Sequence, residues 1–200
     1  MNATGAPPVY GLLLSGGASR RMRRDKARLS YGGQPQLMRA WQVLAAVTER
    51  AFVSVRNEQR DEPLRAALPQ IVDRYDAIGP AAGILSAQEA CPGVAWLVVA
   101  CDLPLLDRAV LETLVAARDA GADATAFASR FDGLPEPLCA LWEPSSHALL
   151  KRRVEGGSHC PRKTLIQSRT RLLPAPGAAL DNINTPEEFE QMQRQLGTPS

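Results

Sequence analysis

The 200-residue sequence has few of the residues that build disulfide frameworks, metal cages or membrane spans. Its four cysteines form no CxxC pair and it has only two histidines, so neither a disulfide framework nor a zinc site is indicated. Apolar runs such as 97–100 are too short to cross a bilayer, and the first ten residues lack the charged and apolar regions of a signal peptide. We therefore predict a cytoplasmic protein with no membrane contact.

Length and composition favour an ordinary globular chain. Hydrophobic residues make up 45% and charged residues 22% of the sequence, close to the average for soluble globular proteins, which argues against wholesale disorder and a fibrous protein. The net charge of +2 decides little. The length fits a single domain over 1–200, in which we expect residues 1–7 and 197–200 to be frayed.

Short apolar runs alternate with segments of helical period, which is the order expected of a parallel α/β fold. Strands are predicted at 11–15, 51–55, 71–72, 94–100, 124–128 and 138–142. Helices are predicted at 35–47, 84–90, 107–117 and 145–154, and a last one after residue 184, where TPEE forms a capping box. Right-handed crossovers would place the strands in one sheet.

The segment GLLLSGGASRRMRRDKARL, residues 11–29, joins the first predicted strand to a glycine pair and a basic run. Open α/β sheets bind ligands at the end of such a strand, where glycines let backbone N–H groups approach phosphate oxygens. Arg20, Arg21 and Lys26 would neutralise a polyanionic ligand there. The segment matches neither GxGxxG nor GxxxxGK[ST], and a solvated basic turn explains it equally well. RNA contact is disfavoured because no RNP-like aromatic stretch accompanies the arginines, and we expect no nucleic-acid partner.

Two aspartates follow predicted strands and are candidates for a site at the same edge. Asp102 comes after the most apolar strand, in WLVVACDLPLL, where a carboxylate would hold the magnesium ion that bridges phosphates. It could instead begin the turn completed by Pro104, but we favour metal binding. Asp73 closes the strand at 71–72 and reaches the same edge, although a turn or cap is almost as good an explanation.

Small residues and amides supply the remaining candidates. Gly79 and Gly83 open a helix with little bulk, which suits close approach of a base or sugar and equally suits packing. Asn182 and Asn184 could hydrogen-bond a ligand, but their position before the capping box favours a role in shaping the turn.

Four segments in order resemble the molybdenum cofactor guanylyltransferases, a family of nucleotidyltransferases that activate small phosphorylated molecules. LLLSGGASRRMRRDK is similar to the family loop LAGGxxxRMGGxDK, and GPAAGILSA to GPLAG. CDLP is similar to CDxP, and DNINTPEEF to NVNTPEEL. The resemblance covers most of the chain. It implies a three-layer α/β/α, Rossmann-like and mostly parallel fold of the nucleotide-diphospho-sugar transferase type.

The resemblance also implies roles at the nucleotide. The residues placed against the base and sugar are Leu14, Ser15 and Gly16, and the second glycine, Gly17, is similar to that of the purine-using members and favours GTP over CTP. Lys26 would contact the triphosphate, and Arg20 and Arg21 would contact its β- and γ-phosphates. Asp102 would hold magnesium. The catalytic residues implied by the resemblance are therefore Lys26, Arg21 and Asp102. Asp73 would lie near the guanine nucleotide.

On the acceptor side, the resemblance makes Arg162 and Lys163 contacts for the phosphate of a pterin, with Asn182 and Asn184 in support. Two departures from the family pattern stand out. Arg23 and Arg24 occupy the place of a glycine pair in a loop shorter by one residue, and Ser15 replaces a usual alanine.

The expected reaction is magnesium-dependent transfer of GMP from GTP to the phosphate of molybdopterin, with release of pyrophosphate. A phosphate monoester is already anionic, so no general base is needed, and the chain offers no convincing nucleophile and base pair. Two alternatives remain: transfer of CMP or another nucleotide to a pterin, alditol or sugar phosphate, and a non-catalytic nucleotide-binding delivery partner of molybdenum enzymes. Delivery proteins or molybdoenzyme chaperones are possible partners.

Overall fold

A computed structural model describes residues 5–15, 27, 29–31 and 33–182. The strands are β1 (Val9–Leu14), β2 (Ser30–Tyr31), β3 (Gln34–Pro35), β4 (Arg50–Val55), β5 (Gln70–Val72), β6 (Ala95–Ala100), β7 (Ala124–Ala128), β8 (Pro135–Trp142) and β9 (Thr170–Leu173). The helices are α1 (Gln36–Ala45), α2 (Pro63–Ala66), α3 (Pro80–Ala90), α4 (Arg108–Ala116), α5 (Ser146–Glu155) and α6 (Pro161–Ile166). The helix predicted after residue 184 lies outside the described residues.

Seven strands form one mostly parallel sheet in the order β5-β4-β1-β6-β8-β7-β9. The first four are mutually parallel, with Leu14 opposite both Ser54 of β4 and Ala100 of β6. β8 runs antiparallel to both of its neighbours, and β9 returns parallel to β7. The strands and helices predicted as far as Ala100 occur in the predicted order, but the hairpin β2–β3 precedes α1 and the helix α2 separates β4 from β5.

Alternate residues of the central strands feed two hydrophobic cores, one on each face of the sheet. On one face, Leu13 and Leu97 pack with Leu37 and Leu44 of α1 and with residues of α4. On the other face, Leu12, Trp96 and Trp142 pack with residues of α3, α5 and α6. Because β6 is buried along its whole length, it is continuously apolar, and the three-layer arrangement is confirmed.

The structure adds elements that the periodicity does not predict. The hairpin β2–β3 and the helices α2 and α6 are too short to show a period, and β9 is a half-exposed strand at the edge of the sheet. α3 begins at Pro80 instead of Ile84, since proline is favoured in a first helical turn. At the N-terminus, residues 6–8 form neither helix nor strand, but the Pro7 carbonyl accepts a hydrogen bond of 2.6 Å from Arg118.

Candidate active site

The carboxyl ends of β1 and β6 lie side by side and bring two predicted site residues to one edge of the sheet. Leu14 is opposite Ala100, and the Leu14 carbonyl accepts a hydrogen bond of 3.1 Å from the amide of Cys101. Ser15 follows β1 directly, and Asp102 lies two residues after β6. The predicted convergence of these strand ends is therefore present.

Ser15 is buried and held on both sides. Its hydroxyl donates to the carbonyl of Ser54 at 2.8 Å and accepts from Nε of Arg65 at 3.0 Å. The Ser15 carbonyl accepts a second hydrogen bond from Arg65, at 2.9 Å. The last residue before the glycine pair is thus fixed by an arginine that is 50 positions away in the chain.

Arg65 lies in α2, its side chain is 0% exposed, and it forms an ion pair with Glu62. Sequence reasoning missed this residue. It stands in the segment DEPLRAAL, where nothing distinguishes it from a surface arginine. Only the packing of α2 against the end of β1 reveals its contacts.

Asp73 follows β5, two strands away from β1. Its backbone amide donates to the Val55 carbonyl at 2.8 Å, and its carboxylate accepts a hydrogen bond of 2.7 Å from the Ser54 hydroxyl. Burial raises the pKa of Asp73 to about 6, against the opposing effects of the Ser54 hydrogen bond and the Arg56 charge. A carboxyl group with a pKa close to neutral at an open sheet edge is typical of a ligand site.

The two glycines of α3 differ in role. A Cβ on Gly83 would lie 2.4 Å from the Ser54 hydroxyl oxygen and 2.7 Å from a methyl group of Leu14, so close packing accounts for this glycine. Gly79 precedes α3 with φ +62°, a left-handed conformation that favours glycine, and a Cβ there would meet no atom within 4 Å. A ligand contact at Gly79 stays a prediction.

Asp102 is a half-buried carboxylate with few companions that could share a metal. Within the described ranges, no group of three or more His, Cys, Asp or Glu side chains could hold an ion. One protein carboxylate beside a polyphosphate suits magnesium, which keeps several waters and is bound through one or two carboxylates and substrate phosphates. The donor set therefore fits an ion that arrives with a nucleotide.

A pocket of about 170 Å³ opens beside the end of β6. It is lined by Ala100, Leu103, Glu136, Pro137, Leu138, Cys139, Arg162, Leu180 and Asn182. The structure thus brings Arg162 and Asn182 together in a pocket that also includes Ala100, the last residue of β6. Asp102 follows Ala100 two positions later in the chain. Lys163 is exposed and does not line this pocket.

Arg162 and Lys163 lie in α6, whereas the sequence places them in a loop after the glycines at 156 and 157. The Arg162 guanidinium forms ion pairs with Asp132 at 3.0 Å and Glu136 at 2.9 Å. Two carboxylates therefore fix this cation at the rim of the pocket, and their combined charge exceeds that of the guanidinium. The sequence does not show these pairs, because the partners are 30 and 26 positions away.

Six predicted site residues, Gly16, Gly17, Arg20, Arg21, Lys26 and Asn184, lie outside the described residues, as do Arg23 and Arg24. The four cysteines all lie in the described ranges and form no disulfide there, and burial raises the pKa of Cys139 to about 12. In the part of the chain that the structure describes, no helix has the length and apolarity to span a membrane.

Comparison with known proteins agrees with this geometry. Residues 11–171 match the family model described as "MobA-like NTP transferase domain". The chain is 38% identical over 187 residues to a molybdenum cofactor biosynthesis bifunctional protein of Synechocystis, covering 92% of this chain but only 54% of that protein. It is 31% identical to a probable molybdenum cofactor guanylyltransferase of Opitutus terrae, covering 94% and 96% of the two chains.

A solved structure shares the fold. Molybdopterin-guanine dinucleotide biosynthesis protein A from Archaeoglobus fulgidus superposes with a TM-score of 0.79 at 23% identity, covering 94% of this chain and 98% of that one. The family match spans the sheet from β1 into β9 and includes the strand ends that carry Ser15, Asp73 and Asp102. The chain belongs to the MobA-like NTP transferase family.

Proposed function

We propose that this protein transfers the GMP moiety of GTP to the phosphate of molybdopterin and releases pyrophosphate. The observation that carries the proposal is that the candidate nucleotide residues and a candidate acceptor pocket lie at the carboxyl ends of parallel strands. Ser15, Asp73 and Asp102 follow β1, β5 and β6, and the pocket with Arg162 and Asn182 begins at the end of β6. The names of the curated relatives, which include molybdenum cofactor guanylyltransferases, support this choice of substrates.

In the proposed reaction, a phosphate oxygen of molybdopterin attacks the α-phosphorus of GTP in line. A new bond forms between that oxygen and the α-phosphorus, and the bond to the β-phosphate oxygen breaks with pyrophosphate as the leaving group. Asp102 would hold Mg²⁺, which when bound supplies neutralisation of the triphosphate charge. Arg162 orients the acceptor phosphate, and Asn182 lines the same pocket.

Further roles follow from the family resemblance. Lys26, Arg20 and Arg21 would neutralise the triphosphate, with Gly16 and Gly17 beside the nucleotide and Leu14 against the base and sugar. Lys163 and Asn184 would support the acceptor. A cytoplasmic location, a single domain over 1–200 and hand-over of the product to delivery proteins complete the proposal.

The test is to incubate the protein with purified molybdopterin, Mg²⁺ and each of the four nucleoside triphosphates in turn. We expect pyrophosphate release and a product of the mass of the guanine dinucleotide with GTP. Product with CTP alone would show a cytidylyltransferase instead. GTP binding without pyrophosphate release in the presence of molybdopterin would show a non-catalytic nucleotide-binding protein.

A further inference from the structure

Arg65 carries a full positive charge in a place with no access to solvent. Its side chain is 0% exposed, and a buried charge is tolerated only when it is paired and hydrogen-bonded. Glu62 supplies the pairing, and two of the guanidinium hydrogen bonds go to a single residue, Ser15, one to its hydroxyl and one to its carbonyl. The planar guanidinium therefore fixes both the backbone and the side chain at the point where β1 ends.

The hydrogen bonds continue from Ser15 across two more strands. The Ser15 hydroxyl donates to the Ser54 carbonyl at 2.8 Å, and the Ser54 hydroxyl donates to the Asp73 carboxylate at 2.7 Å. Arg65, Ser15, Ser54 and Asp73 thus form a network, here called the edge network, that ties α2 to the ends of β1, β4 and β5. Two of its members, Ser15 and Asp73, are the residues proposed to face the nucleotide.

We infer that Arg65 is a positioning residue for the nucleoside triphosphate. It fixes Ser15 at the end of β1 and, through Ser54, restricts the rotation of the Asp73 carboxylate before the nucleotide arrives. Binding then needs less ordering of the protein, which improves affinity. The inference rests on the proposed function, because it assumes that Ser15 and Asp73 contact GTP.

A second arginine, which is mostly buried, provides the comparison that separates a positioning role from a role in stability alone. Arg118 is 12% exposed and binds Glu143 through two nitrogens, at 2.6 and 2.8 Å. Its third contact is to the carbonyl of Pro7, before β1 begins, at the opposite edge of the sheet. Replacing Arg118 therefore disturbs a buried ion pair of the same kind without reaching the edge network.

Ser146 matches Ser15 in the same way. Its buried hydroxyl accepts from Gln88 at 2.9 Å and donates to the Glu143 carbonyl at 2.7 Å, at the start of α5. Ser15→Ala and Ser146→Ala each remove one buried hydroxyl with one donor and one acceptor. Only Ser15→Ala removes it from the edge network.

The experiment measures the equilibrium dissociation constant for GTP with Mg²⁺, together with the thermal midpoint, for the wild type and four variants of the full chain. The variants are Ser15→Ala, Arg65→Lys, Ser146→Ala and Arg118→Lys. We expect the dissociation constant to rise about tenfold for Ser15→Ala and at least as much for Arg65→Lys, because the end of β1 must then become ordered when the nucleotide binds. The two control variants should lower the thermal midpoint while their dissociation constants stay within about twofold of the wild type.

A double-mutant cycle gives a second measurement, the coupling between Ser15 and Asp73 in GTP binding. A purely structural role of Ser15 would produce no such coupling. If Ser15 acts through Asp73, the dissociation constant of Ser15→Ala/Asp73→Asn rises by less than the product of the two single effects. Independent effects in that cycle, or folded Ser15→Ala and Arg65→Lys proteins that bind GTP as tightly as the wild type, would overturn the inference. If Arg65→Lys does not fold, the dissociation constant of Ser15→Ala and the double-mutant cycle test the inference without it.

Failure of the proposed function gives a different result. A wild type that binds GTP but releases no pyrophosphate with molybdopterin contradicts the transfer reaction. The dissociation constants of the variants then still test the role of Arg65 in nucleotide binding. A wild type that binds none of the four nucleoside triphosphates overturns both proposals.

Discussion

The Ser54 hydroxyl donates a hydrogen bond of 2.7 Å to the Asp73 carboxylate, joining the ends of two adjacent strands at the proposed nucleotide site. Burial nevertheless raises the pKa of Asp73 from 3.8 to about 6, because desolvation outweighs this hydrogen bond. The folded protein therefore keeps a carboxylate where an uncharged group would be more stable. Two predictions follow from this one pKa shift, one for stability and one for binding.

For stability, we expect Asp73→Asn to raise the thermal midpoint at pH 7. A carboxyl group with a raised pKa in the folded state binds its proton more tightly there, so the stability it contributes is complete below the unfolded pKa and is lost as pH rises through about 6. The advantage of the asparagine variant should therefore shrink as the pH is lowered from about 6 to 4. Thermal midpoints of both proteins across this range test it, and a constant difference would contradict the raised pKa.

For binding, we expect the affinity for GTP to fall as pH drops through about 6, because only the ionised Asp73 can accept hydrogen bonds from guanine N–H groups at both oxygens. Asp73→Asn should bind GTP about tenfold more weakly, as expected for a lost hydrogen bond to a charged group, and should lose this pH dependence. Titrations with GTP, and with ATP as a control, measure both effects. The idea fails if the wild type and the variant show the same pH profile.

Gly83→Ala tests the close packing beneath the edge network. The added methyl group would lie 2.4 Å from the Ser54 hydroxyl and 2.7 Å from Leu14, so one of them must move. We expect a loss of about 1–3 kcal/mol in the free energy of unfolding and weaker GTP binding, since Ser54 supports Asp73. Gly5→Ala is the control, because a Cβ at Gly5 meets nothing within 4 Å, and chemical denaturation measures both variants. Equal stability of the two variants would contradict the steric argument.

Asp102→Asn tests the proposed metal ligand. The substitution keeps the shape of the side chain and removes its charge, so we expect pyrophosphate release to fall about a hundredfold or more in a protein that still folds. Asp107→Asn is the matched control at the same edge: Asp107 caps α4 by accepting from the Val110 amide, and asparagine caps as well. Wild-type turnover in Asp102→Asn would exclude this residue as the metal ligand.

Arg162→Gln tests the acceptor side. Removing the guanidinium leaves Asp132 and Glu136 without this counter-charge at the rim of the pocket, where an incoming phosphate would be repelled. We expect the KM for molybdopterin to rise about tenfold while the KM for GTP stays unchanged. Arg152→Gln, an exposed arginine on α5, is the control. A rise in the KM for GTP alone would show that Arg162 acts on the nucleotide and not on the acceptor.

The sequence predicts the residues whose position follows from strand direction. Asp73 and Asp102 each come just after an apolar run, and in a parallel sheet such run ends meet at one edge, so their convergence needs no tertiary information. Arg65 is different, because its function depends on how a four-residue helix packs against β1, and nothing in its neighbours encodes that. The ion pairs of Arg162 are likewise contacts between distant segments, which no local pattern contains.

The short helices and strands are also difficult to predict from local sequence. Helix α6 has six residues, fewer than two turns, and its apolar positions are too few to show a period. From the sequence, the glycine at 83 could serve either close packing or the close approach of a ligand. The positions of the Ser54 and Leu14 atoms show that it serves close packing.

The reversed direction of β8 has a consequence for how this enzyme family can diversify. The proposed nucleotide residues follow the ends of β1, β5 and β6, whereas five of the nine residues that line the proposed acceptor pocket come from the beginning of β8 and from α6. We therefore expect substitutions in the segment 129–138 and in α6 to change the acceptor preference without changing the nucleotide preference. A chimaera that exchanges only those segments with a relative should then acquire a new acceptor and retain its nucleotide.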